Sequence, residues 1–196
     1  MNLHIKQGKL DLIIGNMFSG KSTELIRRIN NLSSINKKII VINYLYDNRY
    51  SSDSVSTHTS ISVKCLKVEK LCSIKGEILN NCDYIFIDEG QFFSDLYDFV
   101  TYYTDVVNKH IIISGLDGDS NRKKFGQMLD LIPICDSVMK LQAYCINCSD
   151  GTYGPFTKKI NSLDSLDNTN TNTNSPIDIG GKEKYIPVCR YHYLLN

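Results

Sequence analysis

The sequence predicts an α/β fold in which helices cover both faces of a parallel sheet. Short apolar, β-branched runs recur at 10–14, 39–44, 62–68, 84–87 and 111–114. Strands that are apolar throughout and alternate with helical patterns are typical of buried parallel sheets. The carboxyl ends of such strands share one edge of the sheet, and ligands bind there.

Two segments between these strands carry the 3.6-residue period of an amphipathic helix. The first predicted apolar face comprises Leu25, Ile26, Ile29 and Leu32. The second, in the segment after residue 94, comprises Leu96, Phe99, Val100, Tyr103, Val106 and Val107.

Size and charge limit the possible partners. A chain of 196 residues can form one full core with a small appendage. The net charge of +1 indicates no nucleic-acid or acidic-membrane partner. The sequence has neither an apolar run long enough to span a membrane nor the apolar core of a signal peptide near its start. We therefore expect a soluble, cytoplasmic protein.

The seven cysteines do not form the pattern of a disulfide framework, because their number is odd and their spacing irregular. Four of them lie among apolar residues and are predicted to be small core or near-surface side chains. These four are Cys65, Cys72, Cys82 and Cys135.

A phosphate-binding loop is predicted at residues 15–22, GNMFSGKS, which fit the pattern G-x-x-x-x-G-K-[ST]. Gly15 and Gly20 permit a tight turn whose amides form a concave anion site at the start of a helix. Lys21 would reach the outer phosphates, and the Ser22 hydroxyl would ligate Mg²⁺. The alternative is a flexible glycine turn before an ordinary helix, but the preceding strand and following helix favour phosphate binding.

A second motif, YIFIDEGQFF at 84–93, ends an apolar strand in two acids. Asp88 occupies the usual position of the acid that holds the metal in P-loop NTPases. Glu89 is placed to orient a nucleophile and accept its proton. The two acids could also be an ordinary polar strand end. The pattern alone does not decide whether Glu89 would activate water or a substrate hydroxyl.

Two spaced pairs, CINC at 145–148 and CRYH at 189–192, predict a metal site. Three thiolates and one imidazole make a closed tetrahedral set that suits structural Zn²⁺. Unrelated thiol pairs or a redox Cys-x-x-Cys are the alternatives. The predicted ligands are Cys145, Cys148, Cys189 and His192.

Between these pairs lies the stretch SLDSLDNTNTNTNSPIDIGG, which is nearly free of large apolar side chains. Such a tract cannot bury enough surface to offset its ordering entropy, so residues about 162–175 are expected to be mobile. We predict a nucleotide-binding domain at 1–140 and a small second domain at 141–196.

Taken in order, six segments resemble the motifs of type II thymidine kinases, from Gly8 to His192. They are GNMFSGKSTELIRRI, YLYDNRYSS, IDEGQFF, LDGDSNRKKFG, CINC and IGGKEKYIPVCRYH. The resemblance implies a P-loop NTPase with a RecA-like parallel-sheet core and a small zinc-binding lasso domain over the substrate. It also implies transfer of the ATP γ-phosphoryl group to the 5′-hydroxyl of thymidine or deoxyuridine, in deoxynucleotide salvage. A homotetramer and feedback inhibition by thymidine triphosphate are further implications.

The resemblance assigns roles residue by residue. Glu89 matches the catalytic carboxylate. The implied ATP and Mg²⁺ site comprises Gly15, Asn16, Met17, Phe18, Ser19, Gly20, Lys21, Ser22, Thr23, Asp47, Arg49, Asp88 and Gln91. The implied nucleoside site comprises Met17, Phe92, Ser120, Phe125, Ile177, Asp178, Ile179, Gly180, Gly181 and Tyr185.

The sequence departs from the family pattern at three places. Asn16 stands where many members have proline, and Ser120 stands where members often have an aromatic residue. The predicted lasso also carries the inserted Asn/Thr tract.

Two other functions fit the motifs. A RecA-like ATPase would hydrolyse ATP to drive a conformational cycle, although no basic face for DNA is evident. A zinc-stabilised nucleotide sensor would bind ATP and form no product. ATP consumption that requires thymidine separates the kinase from both.

Overall fold

The computed structural model describes residues 7–47, 54–56, 62–160 and 184–195. The strands are β1 Lys9–Gly15, β2 Ile39–Tyr44, β3 Ser54–Ser56, β4 Ser62–Lys64, β5 Leu66–Val68, β6 Tyr84–Ile87, β7 His110–Leu116, β8 Ser137–Leu141, β9 Ala143–Tyr144, β10 Tyr153–Gly154, β11 Phe156–Lys159 and β12 Tyr185–Val188. The α-helices are α1 Lys21–Ser33, α2 Gly76–Asn80, α3 Leu96–Thr101 and α4 Arg190–Leu194. Short 3₁₀ turns occur at Leu71–Ser73, Gly90–Phe92 and Met128–Ile134.

Six strands form one sheet in the order β5–β2–β6–β7–β1–β8. Every neighbouring pair in this sheet is parallel. The predicted α/β class with a parallel sheet is therefore confirmed.

The central strands are apolar throughout because both faces of the sheet are covered. Along β6, Ile85 and Ile87 belong to one core and Phe86 to the other. Side chains alternate between faces along a strand, so each face needs its own apolar set. On the Phe86 face, α1 supplies Leu25, Ile26 and Ile29.

Helix α1 confirms the first predicted helix. It begins after Gly20, whose φ of 88° suits glycine. Glu24 accepts hydrogen bonds from Arg27 at 2.6 Å and from Arg28 at 2.8 Å. These i,i+3 and i,i+4 pairs support the exposed side of the helix, and they lower the pKa of Glu24 to about 2, chiefly through Arg27.

The second predicted helix is only partly correct. Regular α3 ends at Thr101, and Tyr102–Val106 continues as a π-helix. A π turn contains more residues than an α turn, so it shifts the face on which later residues lie. Val106, predicted on the apolar face, is 65% exposed, and Thr104 is buried.

The single strand predicted at 62–68 is divided at Cys65. β4 pairs antiparallel with β3, whereas β5 joins the main sheet next to β2. The edge strand β8 was not predicted, because most of its side chains are exposed and its sequence lacks a continuous apolar run.

The chain after β8 contains a small unit with the four predicted metal ligands, which we call the C-terminal lobe and define as β9–β12 with α4. β9 pairs with β10, and β11 pairs with β12, both antiparallel. The tract predicted to be mobile, about 162–175, lies outside the described residues. The helices in the described part of the chain are all too short to span a lipid bilayer.

Candidate active site

The predicted catalytic groups meet at the carboxyl edge of the main sheet. The phosphate loop follows β1, and Asp88 follows β6. Asp47 comes shortly after β2, which is hydrogen-bonded to β6. Parallel pairing thus gathers side chains that are far apart in sequence.

The phosphate loop has the backbone that an anion site requires. A Cβ atom on Gly15 would lie 2.3 Å from the Leu141 carbonyl oxygen, so only glycine fits there. Lys21 is buried, and its Nζ donates to the Asn16 carbonyl oxygen at 2.7 Å. Ser19 Oγ donates to the same oxygen at 2.8 Å. The loop is therefore held closed, with its lysine inside it.

Three buried carboxylates stand beside this loop: Asp47, Asp88 and Glu89. The Asp88 carboxylate accepts hydrogen bonds from the hydroxyls of Ser114 and Ser22. Burial raises the pKa of Asp88 to about 6; the Glu89 carboxylate adds to the rise, and the two hydroxyls oppose it. Clustered buried carboxylates are unfavourable without a cation. The hard oxygen donors Ser22 and Asp88 fit Mg²⁺.

The raised pKa predicts that Asp88 lowers stability at neutral pH. An unfolded aspartate titrates near pH 4, so between about pH 4 and 6 the folded chain binds more protons, and stability falls as pH rises. At pH 7.5 without Mg²⁺, the free energy of unfolding measured in urea should be higher for Asp88→Asn than for wild type, by up to about 3 kcal/mol. The difference should nearly vanish at pH 4. Asp98→Asn, on the exposed side of α3, is the control; equal pH dependence in wild type and Asp88→Asn would contradict the assignment.

Glu89 is held in an unusual conformation. Its φ of 56° lies in the left-handed region, which is uncommon for a residue with a side chain. Gln91 Nε2 donates to Glu89 Oε2, and Gln91 Oε1 accepts from the Leu116 amide at 2.9 Å. Gln91, predicted to bind ATP or Mg²⁺, thus contacts Glu89 directly and fixes its carboxylate. Strain of this kind is concentrated at functional sites.

Backbone turns join two aromatic residues to two of the carboxylates. The Phe92 amide donates to the Glu89 carbonyl oxygen and the Asp47 amide to the Tyr44 carbonyl oxygen, each at 3.1 Å. Phe92 stacks on Tyr44 with centroids 5.1 Å apart and meets Phe125 edge-on at 5.5 Å. The structure therefore brings together Phe92 and Phe125, two of the predicted nucleoside residues. Tyr44 was not predicted; its signal is an aromatic residue at the carboxyl end of a parallel strand.

Only some of the other predicted nucleoside residues lie in the described part of the chain. Tyr185 begins β12 opposite Lys159. The Ser120 carbonyl oxygen accepts from Tyr193 Oη at 2.7 Å, and Arg122 stacks on the Tyr193 ring at 4.3 Å. These contacts join the segment after β7 to the C-terminal lobe. Arg49 and the five residues at 177–181 lie outside the described part of the chain.

The four predicted metal ligands form one cluster, with all ligand atoms within 4.8 Å of one another. His192 Nδ1 is 3.5, 3.3 and 3.3 Å from the sulfurs of Cys145, Cys148 and Cys189. Two of the sulfurs, those of Cys148 and Cys189, are 3.8 Å apart. A tetrahedron with Zn–S and Zn–N bonds of about 2.3 and 2.0 Å has edges of about 3.5–3.8 Å. The cluster fits Zn²⁺.

Without a cation the crowded thiols titrate unequally. Burial acts to raise the pKa of Cys145, but hydrogen bonds from the Cys189 and Cys148 amides outweigh it and lower the pKa to about 6. Burial and the neighbouring sulfurs raise the pKa of Cys148 to about 12. A negative charge on one sulfur therefore disfavours ionisation of the next thiol, and a bound dication would offset this repulsion. All seven cysteines lie among the described residues, and none of them is in a disulfide.

Comparison with known proteins identifies the family to which this sequence is similar. A family model described as thymidine kinase matches residues 8–193. The chain belongs to the thymidine kinase family.

Relatives from a plant, a mammal and a virus agree with this assignment. Thymidine kinase a of Arabidopsis thaliana is 41% identical over 96% of this chain and 76% of its own length. The cytosolic thymidine kinase of Cricetulus griseus is 38% identical over 95% of this chain and 74% of its own. Thymidine kinase of sheeppox virus is 40% identical over 96% of this chain and 98% of its own. The resemblance seen in the motifs is confirmed.

In this member of the thymidine kinase family, two contacts join the phosphate loop to the C-terminal lobe. Neither contact was predicted from the sequence. Thr157 Oγ1 accepts from the Met17 amide at 3.1 Å, and Asn16 Nδ2 donates to the Gly154 carbonyl oxygen at 2.8 Å. Thr157 and Gly154 stand in a segment without a recognisable period. Only the fold shows that they reach the loop.

Proposed function

We propose that this protein is an ATP:thymidine 5′-phosphotransferase, which also accepts deoxyuridine and forms the nucleoside monophosphate in pyrimidine deoxynucleotide salvage. One observation carries the proposal: buried Asp88 and Glu89 lie beside a closed phosphate loop and an aromatic cluster in a chain of the thymidine kinase family. Membership of that family supports thymidine as the acceptor and does not favour an ATP-driven motor.

ATP would bind with its phosphates in the loop at 15–22. Lys21, already inside the loop, would exchange its bond to the Asn16 carbonyl for one to a phosphate oxygen. Ser22 and Asp88 would hold Mg²⁺, which neutralises charge on the phosphates when it is bound. Asp47 and Arg49 would act near the phosphates.

Glu89 is the proposed general base for the 5′-hydroxyl. A base must be aimed at the proton that it accepts. The bond from Gln91 orients the carboxylate, and burial keeps bulk water away from it. This arrangement supports transfer to an enclosed hydroxyl over hydrolysis.

The nucleoside would lie among Met17, Phe92 and Phe125, with Tyr185 and the segment 177–181 closing over the base. Aromatic faces offer apolar contact to a pyrimidine ring. Backbone groups of 177–181 would pair with its polar edge. We also propose the division into a nucleotide-binding domain at 1–140 and a zinc-clipped lasso domain at 141–196.

Family resemblance supports three further proposals: a homotetramer, inhibition by thymidine triphosphate at the acceptor site, and a cytoplasmic location. Sedimentation of the purified protein would test the first. Inhibition that is competitive with thymidine would support the second.

A nucleoside panel tests the main proposal. The enzyme is incubated with Mg·ATP and thymidine, deoxyuridine, deoxycytidine or uridine, and monophosphate and ADP are both measured. Thymidine and deoxyuridine should give one ADP per monophosphate, with little ADP formed in their absence. ADP formed equally well without a nucleoside would support the ATPase and overturn the kinase.

A further inference from the structure

The side chain of Asn16 connects two parts of the site that the proposed mechanism treats separately. Asn16 is the first residue after β1, and it is 3% exposed. Its Nδ2 donates to the Gly154 carbonyl oxygen at 2.8 Å, and its Oδ1 accepts from the Ala143 amide at 3.3 Å. Both partners belong to the C-terminal lobe.

The two partners are opposite each other in the β9–β10 pair. A primary amide carries a donor and an acceptor, like a peptide group, so the Asn16 side chain can satisfy an amide on one strand and a carbonyl on the other. Asn16 therefore extends the end of the β9–β10 ladder. Aspartate offers acceptors only, and proline offers neither group.

This ladder leads directly to the metal cluster. Cys145 follows β9, and its amide donates to the Thr152 carbonyl oxygen at 2.7 Å. A Cβ atom on Gly154 would lie 2.8 Å from the Cys145 Cα. The strand end that Asn16 holds is thus packed against the backbone of a metal ligand.

On its other side, Asn16 is part of the phosphate loop. Its carbonyl oxygen accepts from both Lys21 Nζ and Ser19 Oγ. Next to it, the Met17 amide donates to Thr157 Oγ1. A change in the position of the hairpin would therefore change the loop that holds the phosphates.

We propose that Asn16 is a positioning residue that couples nucleotide binding in the phosphate loop to the metal-held β9–β10 hairpin. The inference rests on the proposed function for the identity of the nucleotide. Both hydrogen bonds come from the amide group of Asn16, so the link depends on this side chain.

Coupling between two sites is reciprocal. If an ordered hairpin raises nucleotide affinity, then bound nucleotide raises the affinity of the hairpin site for zinc by the same factor. Zinc leaves when the hairpin opens, so we expect this gain in affinity to appear as slower zinc release. Two buried hydrogen bonds should give an effect of about 5- to 30-fold.

The experiment measures zinc transfer from the full-length, zinc-loaded protein to a colorimetric zinc chelator, with and without saturating Mg·ADP. ADP is used because it lacks the γ-phosphoryl group that the proposed reaction transfers. Calorimetry gives the Mg·ADP affinity of each variant, so that saturation is known. The variants are Asn16→Ala, Asn16→Asp and the control Asn30→Ala, which changes an exposed residue of α1.

Mg·ADP should slow zinc release about 5-fold or more in wild type and Asn30→Ala, and less than about 2-fold in Asn16→Ala. The ratio of the two rates is decisive, because simple destabilisation would raise both rates together. Equal slowing in wild type and Asn16→Ala would overturn the proposal, as would the absence of slowing in nucleotide-saturated wild type.

Asn16→Asp keeps an acceptor for Ala143 and loses the donor to Gly154, so it provides the test if Asn16→Ala does not fold. Its slowing should be smaller than in wild type, and slowing equal to wild type would overturn the proposal. A protein that shows the coupling but does not phosphorylate any nucleoside would remove the proposed function alone.

Discussion

Replacing Glu89 with glutamine is expected to lower kcat for thymidine phosphorylation by about 10²–10⁴-fold, the usual contribution of a general base. Glutamine has nearly the same shape as glutamate but cannot accept the proton of the 5′-hydroxyl. The phosphate loop does not depend on this carboxylate, so Mg·ATP should bind with little change. Steady-state kinetics and calorimetric titration with Mg·ATP measure the two effects separately.

The control for this prediction is Glu77→Gln, a change of the same chemistry on the exposed side of α2. It should retain wild-type kcat. If Glu89→Gln also turned over at the wild-type rate, Glu89 would not be the base.

Replacing Cys148 with serine is expected to release most of the zinc and destabilise the C-terminal lobe. A closed structural site contributes its metal-binding free energy to folding, so losing one of four ligands should cost on the order of several kcal/mol. Zinc content by elemental analysis and the free energy of unfolding in urea measure the result. The β9–β12 amides should show faster hydrogen exchange first.

Cys72→Ser is the matched control, because Cys72 is exposed and outside the cluster. It should keep its zinc and its stability. Full zinc stoichiometry in Cys148→Ser would show that the ligand set is wrong.

Features governed by local pattern could be predicted from the sequence. The run at 10–14, followed by the glycine turn and the period of Leu25, Ile26 and Ile29, predicted β1, the loop and α1, because strand, turn and helix each leave a short-range signature. The metal ligands were found for a similar reason. Two Cys- and His-containing pairs with the same spacing predict one metal site even across a long gap in sequence. The structure brings the four side chains together.

Features set by distant partners could not be predicted. The role of Gln91 depends on the Leu116 amide, which β7 brings to it. The π-helix at Tyr102–Val106 moved Val106 to the surface although its apolar spacing continued. Asn16 was predicted as part of the ATP site and noted as a departure from proline, but its two side-chain partners depend on the β9–β10 hairpin, which only the fold brings to it.

The contacts of the phosphate loop with the C-terminal lobe also bear on how the molecule acquires its structure. The bonds from Asn16 to Gly154 and from Met17 to Thr157 join residues 138 and 140 positions apart. Closing so long a segment is entropically costly and slow, whereas α1 forms from neighbours. During refolding, local helices such as α1 should therefore return before the contacts that complete the nucleotide site.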